Sequence, residues 1–148
     1  METLANALKE YVDQVYPKIA AIPEEQMVDK PTPGKWSKKE ILGHLIDSAA
    51  NNQQRFVRGQ YESVPKIVYQ QDDWVSLQDY QSLSLKHVLE LWKLYNYHVA
   101  HAIANVRKEN RSRKCNTGKE QEEFHTLEWL AQDYLVHQKH HIKQILNN

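Results

Sequence analysis

Four long stretches of this chain carry apolar residues at steps of three and four, the period of an amphipathic helix, and nowhere does a convincing strand pair stand out. Leu4, Leu8, Tyr11, Val12, Val15 and Ile19 mark a first helix over about residues 3–21, which should stop before Pro23. Ile22 to Trp36 holds Pro23, Pro31, Pro33 and Gly34, so it is a connection. Ser37 opens a second helix, with Glu40 completing a Ser-x-x-Glu capping box and Ile41, Leu45, Ala49 and Phe56 forming its stripe. That helix runs to about Arg58, and Gly59 is its stop. Leu85, Val88, Leu89, Trp92, Val99, Ile103 and Val106 place a third over roughly 83–107, apolar on more than one side. Thr126 caps a fourth that Leu127, Leu130, Ala131, Tyr134, Ile142 and Ile145 carry to about Leu146. The chain is therefore expected to be all-α: a four-helix bundle with long connecting loops, in which sequence neighbours need not be antiparallel.

Two connections are long. Residues 60–81 hold Pro65, the polar run Gln70-Gln71-Asp72-Asp73 and the aromatics Tyr61, Tyr69, Trp74 and Tyr80. A segment of that length inside a compact domain is expected to be functional or to contain a short helix. Residues 108–125 are polar, and Arg107, Lys108, Arg111, Arg113 and Lys114 at their start are expected to be a solvated loop. The four tryptophans, Trp36, Trp74, Trp92 and Trp129, are expected in the core.

With 148 residues and 41% hydrophobic side chains, the chain can bury a core as one domain, 1–148. Its 19 basic and 19 acidic residues cancel (19 − 19 = 0), which argues against a nucleic-acid partner, since displacing counterions from phosphates needs a basic excess. No apolar run approaches the roughly 18–20 residues of a membrane span, and the first residues lack a secretory pattern. The lone Cys115 can make no internal disulfide; it is expected to be a free surface thiol in a cytoplasmic protein. Zero net charge and the surplus apolar surface of the third helix lead to the expectation of weak self-association or a homodimer.

Histidine carries the chemical signal. His137 and His141 are four apart, so on a helix they differ by about 40° and their Cβ atoms lie about 5–6 Å apart. Both imidazoles can then face one ion from the edge of the apolar face. His44 sits in a polar strip of the second helix with Ser48, Asn51 and Arg55, all within about 40° of it. Three imidazoles from facing helices, with open coordination positions, would suit Zn(II), Ni(II) or Fe(II). His140 is turned about 60° away and should face solvent, and His98 and His101 read as ordinary helix residues. Gln138-Lys139-His140 between the paired histidines lacks the glutamate of a His-Glu-x-x-His protease helix. Asp47 and Asp133 are candidates to orient the imidazoles, and Arg55 either holds a substrate carboxylate or makes a structural ion pair. Metal affinity is expected to fall as pH drops below about 6.5, the ordinary imidazole value.

The segment Trp36-Ser37-Lys38-Lys39-Glu40-Ile41-Leu42-Gly43-His44-Leu45-Ile46-Asp47, taken with Asp133-Tyr134-Leu135-Val136-His137-Gln138-Lys139-His140-His141, resembles the DinB-like superfamily over essentially the whole chain. The resemblance implies an up-down-down-up four-helix bundle in which His44, His137 and His141 bind a divalent metal. It also implies an enzyme acting on a small molecule: a transferase using a low-molecular-weight thiol, a related isomerase, or a metal-dependent hydrolase. The alternative is a non-catalytic, stress-associated binding or scaffold protein with a structural or adventitious metal site.

Overall fold

Each of the four apolar periodicities forms a helix in the computed structural model, which describes residues 1–147. These are α1 (Glu2–Ala20), α3 (Lys38–Arg58), α5 (Leu85–Ala104) and α6 (Leu127–Leu146), with the short α2 (Glu24–Val28) and α4 (Gln71–Gln78) between them. The capping box at Ser37 is complete: its hydroxyl accepts the Glu40 N–H at 3.1 Å, and the Glu40 carboxylate accepts the Ser37 N–H at 2.8 Å. Thr126 accepts the Trp129 N–H at 3.1 Å and starts α6 as its sequence requires. α5 is shorter than its apolar stripe, because Ser84 caps it at one end and Val106 stays buried beyond its last turn.

Side-chain pairings fix the helix directions. Tyr16 donates to Glu90 and Tyr97 to Asp13, so α1 and α5 are antiparallel. Lys39 reaches the Leu83 carbonyl while Tyr95 reaches Gln53, so α3 and α5 run parallel. Trp92 pairs with Gln138 and Tyr134 with Asn96, so α6 opposes both. The order is up-down-down-up, as the resemblance implies, and two parallel neighbours require the long crossover that residues 59–84 provide. The last two hydrogen bonds, at 3.0 and 2.7 Å, cross the middle of the bundle and satisfy polar groups inside an otherwise apolar core.

Several expectations need correction. A small antiparallel hairpin does exist, β1 (Lys114–Asn116) with β2 (Phe124–Thr126), and the Pro65–Ile67 segment bonds to Asn116 beside it. Three-residue strands are too short to show alternation. Cys115, on β1, is a buried thiol, not a surface one, and burial pushes its pKa up. Of the tryptophans only Trp92 is fully buried; Trp36 and Trp74 are half-buried and Trp129 is exposed. The basic cluster is partly structural. Arg113 donates to the carbonyls of Gly59 (2.8 Å) and Glu62 (2.7 Å) and so satisfies the C-terminal end of α3. Gly59 ends α3 with ordinary right-handed backbone; it is glycine because a Cβ would lie 2.6 Å from both the Arg55 carbonyl and Leu127. Among the described residues no helix is long and apolar enough to cross a membrane.

Candidate metal centre

Because α3 and α6 are antiparallel, successive turns of one meet receding turns of the other, and His44 faces both His137 and His141. The ring centroids are 5.2 Å (His44–His137), 4.9 Å (His44–His141) and 4.6 Å (His137–His141) apart. One nitrogen from each ring lies within 4.8 Å of the other two. His44 Nε2 and His137 Nε2 approach to 3.2 Å. The structure thus brings together all three of the histidines selected from the sequence. His44 is 1% exposed, and the other two are half-buried.

The surroundings hold these rings in place. Trp36 packs on His44 at 4.9 Å between centroids, tilted by 31°. Ser48, one turn along α3, places Oγ 3.4 Å from His137 Nδ1, and His141 Nδ1 lies 2.8 Å from Gln144 Oε1. His141 opens onto a cavity of about 420 Å³ that Trp36, Ile41, Gln144 and Asp72 also line. A larger cavity of about 930 Å³, into which the exposed His140 projects, shares Pro31, Trp36, Ile41 and Gln144 with it.

Burial is the largest influence on all three imidazoles. It lowers His44 to about 3 and His137 to about 4, and the other histidines of the cluster add to the effect. His141 is lowered as well, chiefly by burial. All three rings are therefore neutral at pH 7, the state that coordinates a cation. For His44 and His137 this revises the expected pH dependence, because protons compete for their nitrogens only well below 6.5.

The donor set fits a divalent ion. A tetrahedral Zn–N distance of about 2.0–2.1 Å puts nitrogens roughly 3.3 Å apart, close to the His44–His137 spacing. His44 Nδ1, by contrast, is buried with no partner, so no acceptor among the described residues fixes that ring's tautomer.

Neither aspartate orients the imidazoles. Asp47 Oδ1 accepts from Tyr80 Oη and Gln78 Nε2, both at 2.6 Å, on the side of α3 facing α4. Asp133 is exposed. Among the described residues Arg55 makes no ion pair within 4.0 Å: its terminal nitrogens donate to Asn52 Oδ1 (3.3 Å) and the Ile67 carbonyl (2.8 Å). His98 and His101 are exposed on α5. Sequence reasoning missed Tyr69, whose hydroxyl interacts with Ser48, and Lys119, whose charge acts on His44. Both lie in connections without periodicity, and only the hairpin and the Pro65–Ile67 pairing bring them to the cluster.

The sequence model of the DinB superfamily matches residues 7–145. This chain belongs to the DinB superfamily. One relative, from Geobacillus thermodenitrificans, is 26% identical over 143 residues, covering 95% of this chain and 79% of its own, and carries the name "Putative metal-dependent hydrolase". The solved structure of YfiT from Bacillus subtilis superposes with a TM-score of 0.85 at 22% identity, covering 97% of this chain and 82% of YfiT. YfiT is described as "a probable metal-dependent hydrolase with an unusual four-helix bundle topology". The DinB fold of this chain is thus the same bundle. Its three clustered histidines, with relatives so named, suggest a divalent metal.

Proposed function

We propose that this DinB-superfamily chain is a metal-dependent enzyme acting on a small molecule, with His44, His137 and His141 as the protein ligands of a divalent Zn, Ni or Fe ion. The observation that carries this reading is the meeting of three neutral imidazole nitrogens within 4.8 Å beside an open cavity. A bound divalent cation supplies Lewis acidity, polarising a substrate group and bringing a nucleophile's pKa toward neutrality. The protein's own part is to hold the rings neutral, to cover His44 with Trp36, and to leave the His141 side open to a substrate.

Between hydrolysis and thiol transfer, the arrangement of acids favours transfer from a low-molecular-weight thiol. A bound cation must lower water from about 15.7 but a thiol from only about 8.5 to reach neutrality, and Asp47, bonded to Tyr80 and Gln78, is not placed to help as a base beside the imidazoles. A thiol, ionising near 8.5 in its free state, needs no such base close to neutrality. In the transfer, sulfur bonds to the electrophilic carbon, the leaving group departs with the bonding pair, and the thiol proton goes to water. The names of the relatives support the hydrolytic reading.

Both are tested by assaying metal-loaded protein with a thiol plus 1-chloro-2,4-dinitrobenzene, and separately with p-nitrophenyl acetate. Metal-dependent chloride release that His44→Ala abolishes supports transfer; ester cleavage with the same dependence supports hydrolysis. Stoichiometric metal with neither activity supports the scaffold alternative.

A further inference from the structure

Arg55 is a partly buried guanidinium with no anion within 4.0 Å among the described residues. On the helical wheel of α3 it lies about 20° from His44, on the same strip as Ser48 and Asn51, so it looks toward α6 as the cluster does. Helical side chains lean toward the N-terminus of their helix, which brings the guanidinium back toward Ser48, and its bond to Asn52 shows that direction. Of five N–H donors, Asn52 and Ile67 take two, both through neutral oxygens. Nε is buried with no partner. Asp133 acts on this charge from an exposed position on α6 but makes no ion pair with it within 4.0 Å. Burying such a cation even in part is unfavourable, and what offsets that cost elsewhere is a carboxylate or phosphate on the guanidinium's fork.

The neighbourhood is cationic as well. Tyr69, which interacts with Ser48 and with the charge of Arg55, lines a cavity of about 490 Å³ together with Lys66 and Lys119, against the single acid Asp73. Arg55 also acts on His137, and Lys119 on His44. The charges of Arg55 and Lys119 thus reach the histidine cluster, while the cavity beside Tyr69 is itself lined by neither Arg55 nor a histidine of the cluster.

We propose that the substrate is a small carboxylate whose carboxyl group is held by Arg55, on the Tyr69 side of the three histidines, while its reacting end lies at the cluster. This rests on the metal-enzyme reading only for the reacting end; the carboxyl site belongs to the chain itself. Ser48, beside His137, is seven residues from Arg55, about 10 Å along the helix, and the backward lean of Arg55 shortens that distance. A molecule with several carbons between its two ends is required, and mercaptoacetate is too short.

The test compares 6-mercaptohexanoate with 6-mercaptohexanol, binding to Co(II)-loaded protein being read by the sulfur-to-cobalt absorption band at 150 mM salt, where exposed lysines are screened. The carboxylate is expected to bind at least tenfold tighter than the alcohol, an advantage that Arg55→Met removes, Arg55→Lys partly retains and mercaptoacetate lacks. Metal-free protein titrated with hexanoate should show a shift of the Arg55 Nε–H resonance that hexanol does not cause. Equal affinity of the two thiols overturns the carboxylate site and leaves the metal centre standing. An advantage lost in Lys119→Ala but kept in Arg55→Met overturns the assignment to Arg55. If no thiol alters the cobalt spectrum, the thiol-transfer reading fails, and the metal-free titration decides for or against the Arg55 site. Should Arg55→Met not fold, the wild-type comparison and Arg55→Lys decide.

Discussion

His44 Nε2 and His137 Nε2 lie 3.2 Å apart although 93 positions separate them in the chain. Two protonated imidazoles could not share that spacing inside the bundle, so packing α3 against α6 in this register keeps both rings neutral. The fold thus spends stability in acid to hold a set of cation ligands ready at neutral pH.

That cost is measurable in metal-free protein. The folded values of about 3 for His44 and about 4 for His137 lie below the ordinary 6.5, so the unfolded chain binds more protons across this interval. Stability is then highest above pH 6.5 and falls as pH drops, by up to about 1.4 kcal/mol per unit for each ring, until the folded pKa is reached. Urea unfolding at pH 7.5, 6 and 5 should show this decline, with a smaller slope in His44→Gln/His137→Gln. The same slope in wild type and variant would place the acid sensitivity elsewhere.

Metal affinity should respond differently to pH. Protons compete for His44 and His137 only near their folded values of about 4 and below, and for His141 below the ordinary 6.5, so affinity measured by chelator competition should fall by much less than tenfold per unit between pH 6.5 and 5. A loss approaching tenfold per unit beginning at 6.5 would show that the rings are solvated.

Gly43→Ala should destabilise the bundle strongly. A Cβ there would stand 2.2 Å from Tyr80 Cδ2, and the ring cannot retreat because it is buried and its hydroxyl bonds Asp47 at 2.6 Å. Overpacking of this kind costs about 1–3 kcal/mol, or several degrees in Tm for a chain of this size. An unchanged melting temperature would contradict the close α3–Tyr80 approach.

Asp47→Ala separates structure from ligation. It leaves the buried Tyr80 hydroxyl without its acceptor, a loss of about 1–3 kcal/mol, while touching no imidazole of the cluster. Melting temperature should fall and metal stoichiometry should stay at the wild-type value. Loss of the metal would give Asp47 a role that its observed bonds do not.

Most of the bundle was legible in the sequence because its helices carry their own signals: the Ser37 and Thr126 caps, the apolar stripes, and the four-residue step from His137 to His141. Pairing His44 with them needed the family resemblance, since periodicity assigns a face to each helix but not the facing partner. What stayed hidden depends on contacts between connections. The hairpin around Cys115 is too short to alternate. Tyr69, which interacts with Ser48, follows the Pro65–Ile67 segment that bonds to Asn116, a pairing that no periodicity announces. Asp47, one turn from His44, was a reasonable orienting group by spacing alone, and Tyr80 and Gln78 claim it instead.

Metal content tests the central claim most directly. Wild-type protein, equilibrated with Zn(II), Ni(II) or Fe(II) and freed of excess, should retain one equivalent per chain by elemental analysis. His44→Ala and the double variant His137→Ala/His141→Ala should retain none while keeping wild-type helicity by circular dichroism, since apolar stripes and not the ion hold the helices. Full metal retention in both variants would contradict the assignment of His44, His137 and His141 as ligands.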